Sequence, residues 1–328
     1  MRAVIINETG SFDALEVVEV PEPKPEAGEV LIDVAYCGCN WADTQIRQGI
    51  YPHPIIYPFI AGFEVSGTVI ACGEGVTSTR VGDRVATMLP KGQGYAEQCV
   101  VDAEWLIPLA DEISFEVGAA FPIQAITAYH MLHTVYDIKP DQWALVHAAG
   151  GGVGLCLIQL AILAGAHVIG TVGTPGKEVK PLEYGAKRVV NLNDASEDFV
   201  SVAMEMTDNR GVDVTLDSLG GKTLDRSFEA TKLLGQLVNI GEGEAVPIEN
   251  IRHRSLLKSQ NFCRFTVFHV APGSDEWHKC NAHLTKALID GTLEIPVVET
   301  YSLEQAGDMH KLLEGRSVSG KLLLSMQD

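Results

Sequence analysis

Apolar residues in the first 123 positions fall in short β-branched runs: Arg2 to Ile6, Leu15 to Val20, Val30 to Tyr36, Val65 to Cys72, Arg84 to Met88 and Tyr95 to Val101. Each is closed by Gly, Pro or Asp, a spacing that predicts a β-rich first domain. From about Pro122 the pattern changes to strands alternating with helices. Strands are predicted at Trp143 to His147, His167 to Val172, Arg188 to Asn191, Val212 to Ser218, Gln236 to Ile240 and Asn261 to Phe268. That alternation implies a parallel, doubly wound sheet, so the fold class is α/β. Beyond Pro272 come helices over Glu276 to Ile289 and Leu303 to Leu313, a short apolar pair at Val297 and Val298, and a last strand, Lys321 to Ser325. The predicted division is 1–123, 124–268 and 269–328, the last segment returning to pack on the first domain.

One stretch in the second part has the pattern of a binding site. Trp143 to Val146 is a buried-strand run, Ala148-Ala149-Gly150-Gly151-Gly152-Val153-Gly154 is a glycine turn, and Leu155 to Leu163 is apolar nearly all round, as in a helix packed between layers. Glycine there allows a tight turn, a backbone close enough to offer N–H groups to a pyrophosphate, and close packing of helix on strand. The dinucleotide fingerprint G-x-G-x-x-G falls on Ala149, Gly151 and Gly154, with alanine in the first place. The candidate pyrophosphate cradle is Ala149, Gly151, Gly152, Val153 and Gly154. About 20 residues on, an enzyme using NAD carries a carboxylate for the ribose hydroxyls. Here the chain reads Gly170-Thr171-Val172-Gly173-Thr174-Pro175-Gly176-Lys177. A carboxylate repels a 2′-phosphate and a lysine attracts one, so Gly173, Thr174 and Lys177 point to NADPH as the cofactor. Gly241, after the fifth strand of this part, joins the same candidate set.

Charge and cysteine content narrow the function class. The net charge of −19 argues against nucleic acid or an anionic membrane as partner. No apolar run reaches 18 residues, and the first residues do not read as a signal peptide. Seven cysteines without regular spacing fit reduced thiols, and with the preceding points indicate a cytoplasmic protein.

Gly38-Cys39-Asn40-Trp41-Ala42-Asp43, Ile46-Arg47-Gln48-Gly49-Ile50-Tyr51-Pro52, Gly62-Phe63-Glu64-Val65-Ser66-Gly67, Val81-Gly82-Asp83-Arg84-Val85 and the glycine turn together resemble the zinc-free medium-chain dehydrogenase/reductases, in particular the quinone oxidoreductase or zeta-crystallin-like group. The resemblance covers essentially the whole chain. It implies a GroES-like β-rich catalytic domain and a Rossmann domain, with the active site in the cleft between them. Zinc members carry cysteine where this chain has Asn40 and histidine where it has Phe63. Phenylalanine cannot ligate zinc, so no metal is expected. Cys37 and Cys39 are read as core residues.

Without a Lewis acid the favoured reaction is hydride transfer to an acceptor with its own electron sink, a quinone or an activated enone. By resemblance Asn40 contacts the nicotinamide ribose or the substrate, Thr127 lies near the nicotinamide, and Arg316 approaches the adenine ribose phosphate. Tyr51 is a candidate hydrogen-bond donor to the acceptor oxygen. Asp43 and Arg47 are expected to form a polar cluster with Glu64. The chain departs from the group at Leu192 and Gln45, where tyrosines are common, and at Pro181, inside a predicted helix. The resemblance also implies a homodimer paired through the edge strand Asn261 to Phe268. Two other readings stay open: an enoyl-thioester or alkenal reductase, and a non-catalytic NADPH-binding protein.

Overall fold

The short β-branched runs do become strands. In the computed structural model, which describes residues 1–243 and 250–326, the first part contains β1 (Arg2–Ile6), β2 (Leu15–Glu19), β3 (Glu29–Gly38), α1 (Trp41–Gln48), β4 (Phe59–Ile60), β5 (Glu64–Cys72), β6 (Arg84–Met88), β7 (Gln98–Asp102), β8 (Leu106–Pro108) and α2 (Phe115–Ala120). The alternating part follows as α3 (Pro122–His130), β9 (Trp143–Val146), α4 (Gly152–Leu163), β10 (His167–Val172), α5 (Val179–Glu183), β11 (Arg188–Asn191), α6 (Phe199–Met206), β12 (Val212–Asp217), α7 (Gly221–Ala230), β13 (Thr231–Asn239), α8 (Ile251–Leu256) and β14 (Asn261–Arg264). The chain ends with α9 (Asp275–Ile289), β15 (Val297–Tyr301), α10 (Ala306–Glu314) and β16 (Lys321–Ser325). Among the described residues no helix is long and apolar enough to cross a membrane.

These elements form two units, one of Met1–Ile123, Ala271–Gly291 and Ile295–Asp328, the other of Gln124–Val270 with Thr292–Glu294. In the first unit a three-stranded sheet runs β2-β1-β4, and a seven-stranded sheet runs β15-β16-β3-β5-β6-β8 with β7 also on β3. The last strand lies inside this sheet, between β15 and β3. β16 lies antiparallel to β3, with Leu323 opposite Gly38 and Leu324 opposite Cys37, and the Cys39 N–H donates to the Leu322 carbonyl at 3.0 Å. The apolar side chains of β16 are buried, and that burial anchors the C-terminal strand beside the start of α1.

The second unit is one parallel sheet in the order β11-β10-β9-β12-β13-β14. Counted within the unit this is 3-2-1-4-5-6, the doubly wound order. Leu145, Ile169, Val190, Phe199, Ala203, Val212 and Ala230 make a buried cluster on one side of it. α4 is buried on nearly every face, which explains its uniformly apolar sequence.

Most predicted strand limits fall within two residues of the observed ones, and three strands depart further. The strand predicted from Tyr95 starts at Gln98, because Tyr95 and Ala96 are instead held by β1, the Val4 N–H donating to the Tyr95 carbonyl at 2.8 Å. β13 begins early, at Thr231, and absorbs the extra residues in a register shift with Leu234 at φ +59°. The strand predicted over Asn261 to Phe268 ends at Arg264. Its partner β13 stops at Asn239, the register mate of Arg264, and the chain then makes a single 3₁₀ turn, Val267–His269. Pro181 is accommodated as the third residue of α5. The first helical bond there is Leu182 N–H to Glu178 at 3.2 Å, so the missing proline N–H falls among those with no intrahelical partner.

His147, at the end of β9, ties the sheet together internally, with Nδ1 2.8 Å from the Thr171 hydroxyl and Nε2 2.8 Å from that of Ser227. Burial pushes its pKa down from 6.5 to about 3. A depressed folded-state pKa contributes stability that is present above pH 6.5 and lost as pH falls through about 3. Thermal midpoints of wild type and His147→Gln, measured from pH 7 to pH 4, are expected to show a smaller acid-side drop in the variant.

Candidate cofactor and active site

The glycine turn leaves β9 through Ala148, a non-glycine residue at φ +51°. The Ala149 N–H donates to Thr171 and the Gly151 N–H to Ala148, each at 2.8 Å. Gly151 then caps α4, so the free N–H groups of the first helical turn begin at the loop. A side chain at Gly154 would put its Cβ 2.4 Å from the Ala148 oxygen and 2.8 Å from the Ala149 Cα. The helix therefore lies directly on backbone. Alanine at the first fingerprint position fits because its Cβ faces Gly170, where a Cβ would come within 2.8 Å.

The loop after β10 lies against this turn. Thr174-Pro175-Gly176-Lys177 closes with the Lys177 N–H on the Thr174 carbonyl at 3.2 Å and Gly176 at φ +88°, the Pro-Gly arrangement of a type II turn. It lays Lys177 over Gly150: a Cβ there would meet the Lys177 oxygen at 2.8 Å and its Cε at 3.1 Å. Nothing lies within 4 Å of a Cβ at Gly173, whose carbonyl accepts from the Asn193 amide. Leu192 packs instead on the unit's core cluster. Gly152, Val153 and Gly154 form the first turn of α4, and a Cβ at Gly152 would run into the Gln124 side chain.

Because every strand of this sheet is parallel, the same edge also holds the ends of β12 and β13. Asp217 closes β12, fully buried, accepting from the Asn239 amide at 2.5 Å and from the N–H groups of Leu219 and Gly220 at 3.1 and 2.9 Å. Burial raises its pKa to about 6 against the pull of those donors. Asn239 also donates to the Gly241 carbonyl at 2.8 Å and accepts from Arg264, which lies 3.7 Å from Glu242. This network was missed in the sequence. Its signal is an aspartate at the carboxyl end of a strand whose alternate residues Val212, Val214 and Leu216 are apolar. Thr127 is in the same unit, buried within α3.

In the first unit Asn40 precedes α1 and its N–H donates to Asp43 Oδ2 at 2.8 Å. Its carboxamide is held at both ends. Nδ2 donates to Glu64 Oε1 at 2.7 Å, and Oδ1 accepts from Lys321 Nζ at 2.8 Å. Lys321 also pairs with Glu64, whose other oxygen accepts from the Ile123 N–H at 2.8 Å. The expected cluster of Asp43, Arg47 and Glu64 is corrected accordingly. Asp43 accepts from the backbone of Asn40 and Gly62, with burial raising its carboxyl to about 7. Arg47 pairs with Glu314 and donates to the Gly10 carbonyl, and Glu64 takes Lys321. Lys321 was read only as the start of a strand, and it is the cation this site required.

Tyr51 lies after α1 with its ring 5.5 Å from that of His53. Arg316 is exposed, its guanidinium 5.5 Å from the centre of the Trp41 ring. The structure thus gathers Ala149, Gly151, Gly152, Val153, Gly154 and Lys177 around one turn of the second unit, while Asn40, Tyr51 and Arg316 belong to the first.

The positions of a catalytic zinc do not suit one. The Asn40 carboxamide is committed to an ammonium and a carboxylate, Phe63 packs 6.2 Å from Phe59, and no group of three or more His, Cys, Asp or Glu able to hold a metal occurs among the described residues.

Comparisons with known proteins agree with this geometry. A family model described as "Alcohol dehydrogenase GroES-like domain" matches residues 26–111, and one described as "Zinc-binding dehydrogenase" matches residues 152–286. A probable quinone oxidoreductase of Schizosaccharomyces pombe is 32% identical over 98% of this chain and 96% of its own. A 2-haloacrylate reductase of a Burkholderia species is 32% identical over 100% and 99%. The structure of Escherichia coli quinone oxidoreductase complexed with NADPH superposes with a TM-score of 0.94 at 31% identity, covering 99% of this chain and 100% of that one. The chain is an oxidoreductase of the medium-chain dehydrogenase/reductase family. Within that family it belongs to the quinone oxidoreductase, zeta-crystallin-like group.

Gly154→Ala is expected to lower stability by about 1–3 kcal/mol, since its Cβ meets backbone that cannot give way. Gly152→Ala should cost less, because it meets a flexible glutamine. Denaturant titration of the two variants checks the order.

Proposed function

We propose that the protein oxidises NADPH and passes hydride to a small quinone or activated enone without a metal. The observation that carries this is Lys177 laid across the glycine turn with no carboxylate at the end of β10. Gly152, Val153 and Gly154 would hold the pyrophosphate through the N–H groups of the first turn of α4, with Ala149 and Gly151 shaping the loop beneath it. Gly173 and Thr174 leave room for the adenosine ribose, and Lys177 would neutralise its 2′-phosphate. Gly241 and Thr127 would flank the nicotinamide, and Tyr51 and Asn40 would face the acceptor. Bound NADPH supplies the hydride. The contribution of the chain is orientation and exclusion of water. The resemblance to a 2-haloacrylate reductase supports an acceptor whose double bond is activated by an adjacent electron-withdrawing group.

The same reading makes the protein a cytoplasmic homodimer. The seven cysteines are thiols rather than disulfides, as suits a reducing compartment. β14 is the edge strand of its sheet, and an uncovered edge invites pairing with its twin. Light scattering is expected to give twice the 35.4 kDa chain mass.

The test is oxidation of NADPH and NADH by chelator-treated protein with 1,4-benzoquinone, 9,10-phenanthrenequinone and a short enone. NADPH-selective turnover that survives chelation supports the proposal, and a requirement for added zinc sinks it. Lys177→Ala should raise KM for NADPH about 10- to 100-fold, the worth of one charge-assisted contact, and leave KM for NADH nearly unchanged.

A further inference from the structure

The carboxamide of Asn40 has no freedom to flip. A lysine ammonium can only donate and an ionised glutamate can only accept, so Lys321 fixes the oxygen end and Glu64 the nitrogen end. The space for this is prepared. A Cβ at Gly38 would fall 2.6 Å from Lys321 Cε and 2.7 Å from Glu64 Oε1, so glycine is required for the ammonium to reach Asn40. Of the four polar side chains Asn40, Asp43, Glu64 and Lys321, only Asn40 keeps any appreciable surface, 8% against 0% or 1% for the other three. Two hydrogens sit on its Nδ2, and Glu64 takes one. The other is not used by Glu64, Asp43 or Lys321.

We propose that Lys321 is a positioning residue that aims and polarises Asn40, making its remaining N–H a donor to the acceptor oxygen as negative charge develops there. The inference rests on the protein being a reductase of the kind proposed. An ammonium 2.8 Å from the amide oxygen draws electron density away from the nitrogen and offsets the opposing effect of the Glu64 carboxylate on the same Nδ2, so the remaining N–H is kept a competent donor. When the acceptor takes hydride from bound NADPH, a C–H bond forms on it and its π pair moves onto its oxygen. NADP⁺ is left, and a solvent proton completes the reduced product. The charge on that oxygen is what a Lewis acid stabilises in metal enzymes. Here a buried protein cation would act at one remove, through an amide.

Lys321→Met alone would strand the Glu64 carboxylate and risk unfolding, so the test uses the neutral pair Glu64→Gln/Lys321→Met, alone and combined with Asn40→Ala. In otherwise wild-type protein the neutral pair is expected to lower kcat at least tenfold, with KM for NADPH changed less than about twofold. In the Asn40→Ala background it should lower kcat no further, because Lys321 acts through Asn40. Unchanged kcat, or an equal loss in both backgrounds, overturns the inference. A second readout needs no turnover. Protein saturated with NADP⁺ should bind 4-nitrophenolate, an anionic oxygen with its own absorbance, at least tenfold more tightly than does the neutral pair. It should bind 4-nitroanisole equally in both. Equal phenolate affinity overturns the inference even if wild type is an active reductase. Lysine-dependent phenolate binding in a protein that reduces no acceptor upholds the oxyanion site and overturns the reductase reading.

Discussion

The first unit depends on a buried ion pair whose members are 257 residues apart in the chain. Glu64 and Lys321 are both sealed from water, and neither charge is tolerable there alone. Removing one partner of such a pair costs about 3–5 kcal/mol. The pair commits β16 to a place beside β3 and brings the last strand of the chain to the residue before α1. Asn40 is positioned by this contact and by its backbone bond to Asp43, so the candidate catalytic amide is held by residues from both ends of the unit.

The second unit obeys a different constraint, the direction of its strands. A parallel sheet puts the carboxyl ends of β9, β10, β12 and β13 on one edge, and a glycine follows each within a few residues, at Gly150, Gly173, Gly220 and Gly241. Gly154 lets α4 rest on the turn, the Pro-Gly turn sets Lys177 over Gly150, and Asp217 with Asn239 anchors Gly241. The carboxyl of Asp217 is raised by burial even with three donors on it, so this edge carries strained electrostatics beside open backbone. Such places are common at functional sites. The two units thus differ in what they present, one a glycine turn with the first N–H groups of a helix and the other an oriented amide.

Charge around Asn40 is balanced by side chains from distant parts of the chain. The cation beside its carboxamide is the ammonium of Lys321, contributed by β16. Glu64 is then the counter-charge to a lysine. That pairing accounts for a fully buried glutamate at the start of β5.

By itself the sequence determined what depends on neighbours along the chain. The doubly wound order, the glycine turn and its alanine, the cationic loop without a carboxylate, and most strand limits could be read because period, turn chemistry and fingerprint spacing are local. Boundaries failed where another strand intervened, as at Tyr95, held by β1, and at Phe265 to Phe268, left without a ladder once β13 ends. The tertiary structure alone decided which charges pair. Asp43, Arg47 and Glu64 are close in sequence and looked like one cluster, yet each is satisfied elsewhere, by backbone N–H groups, by Glu314 and by Lys321. A buried charge takes whichever partner the packed strands deliver, and that choice is made by register across the sheet, which no local pattern encodes.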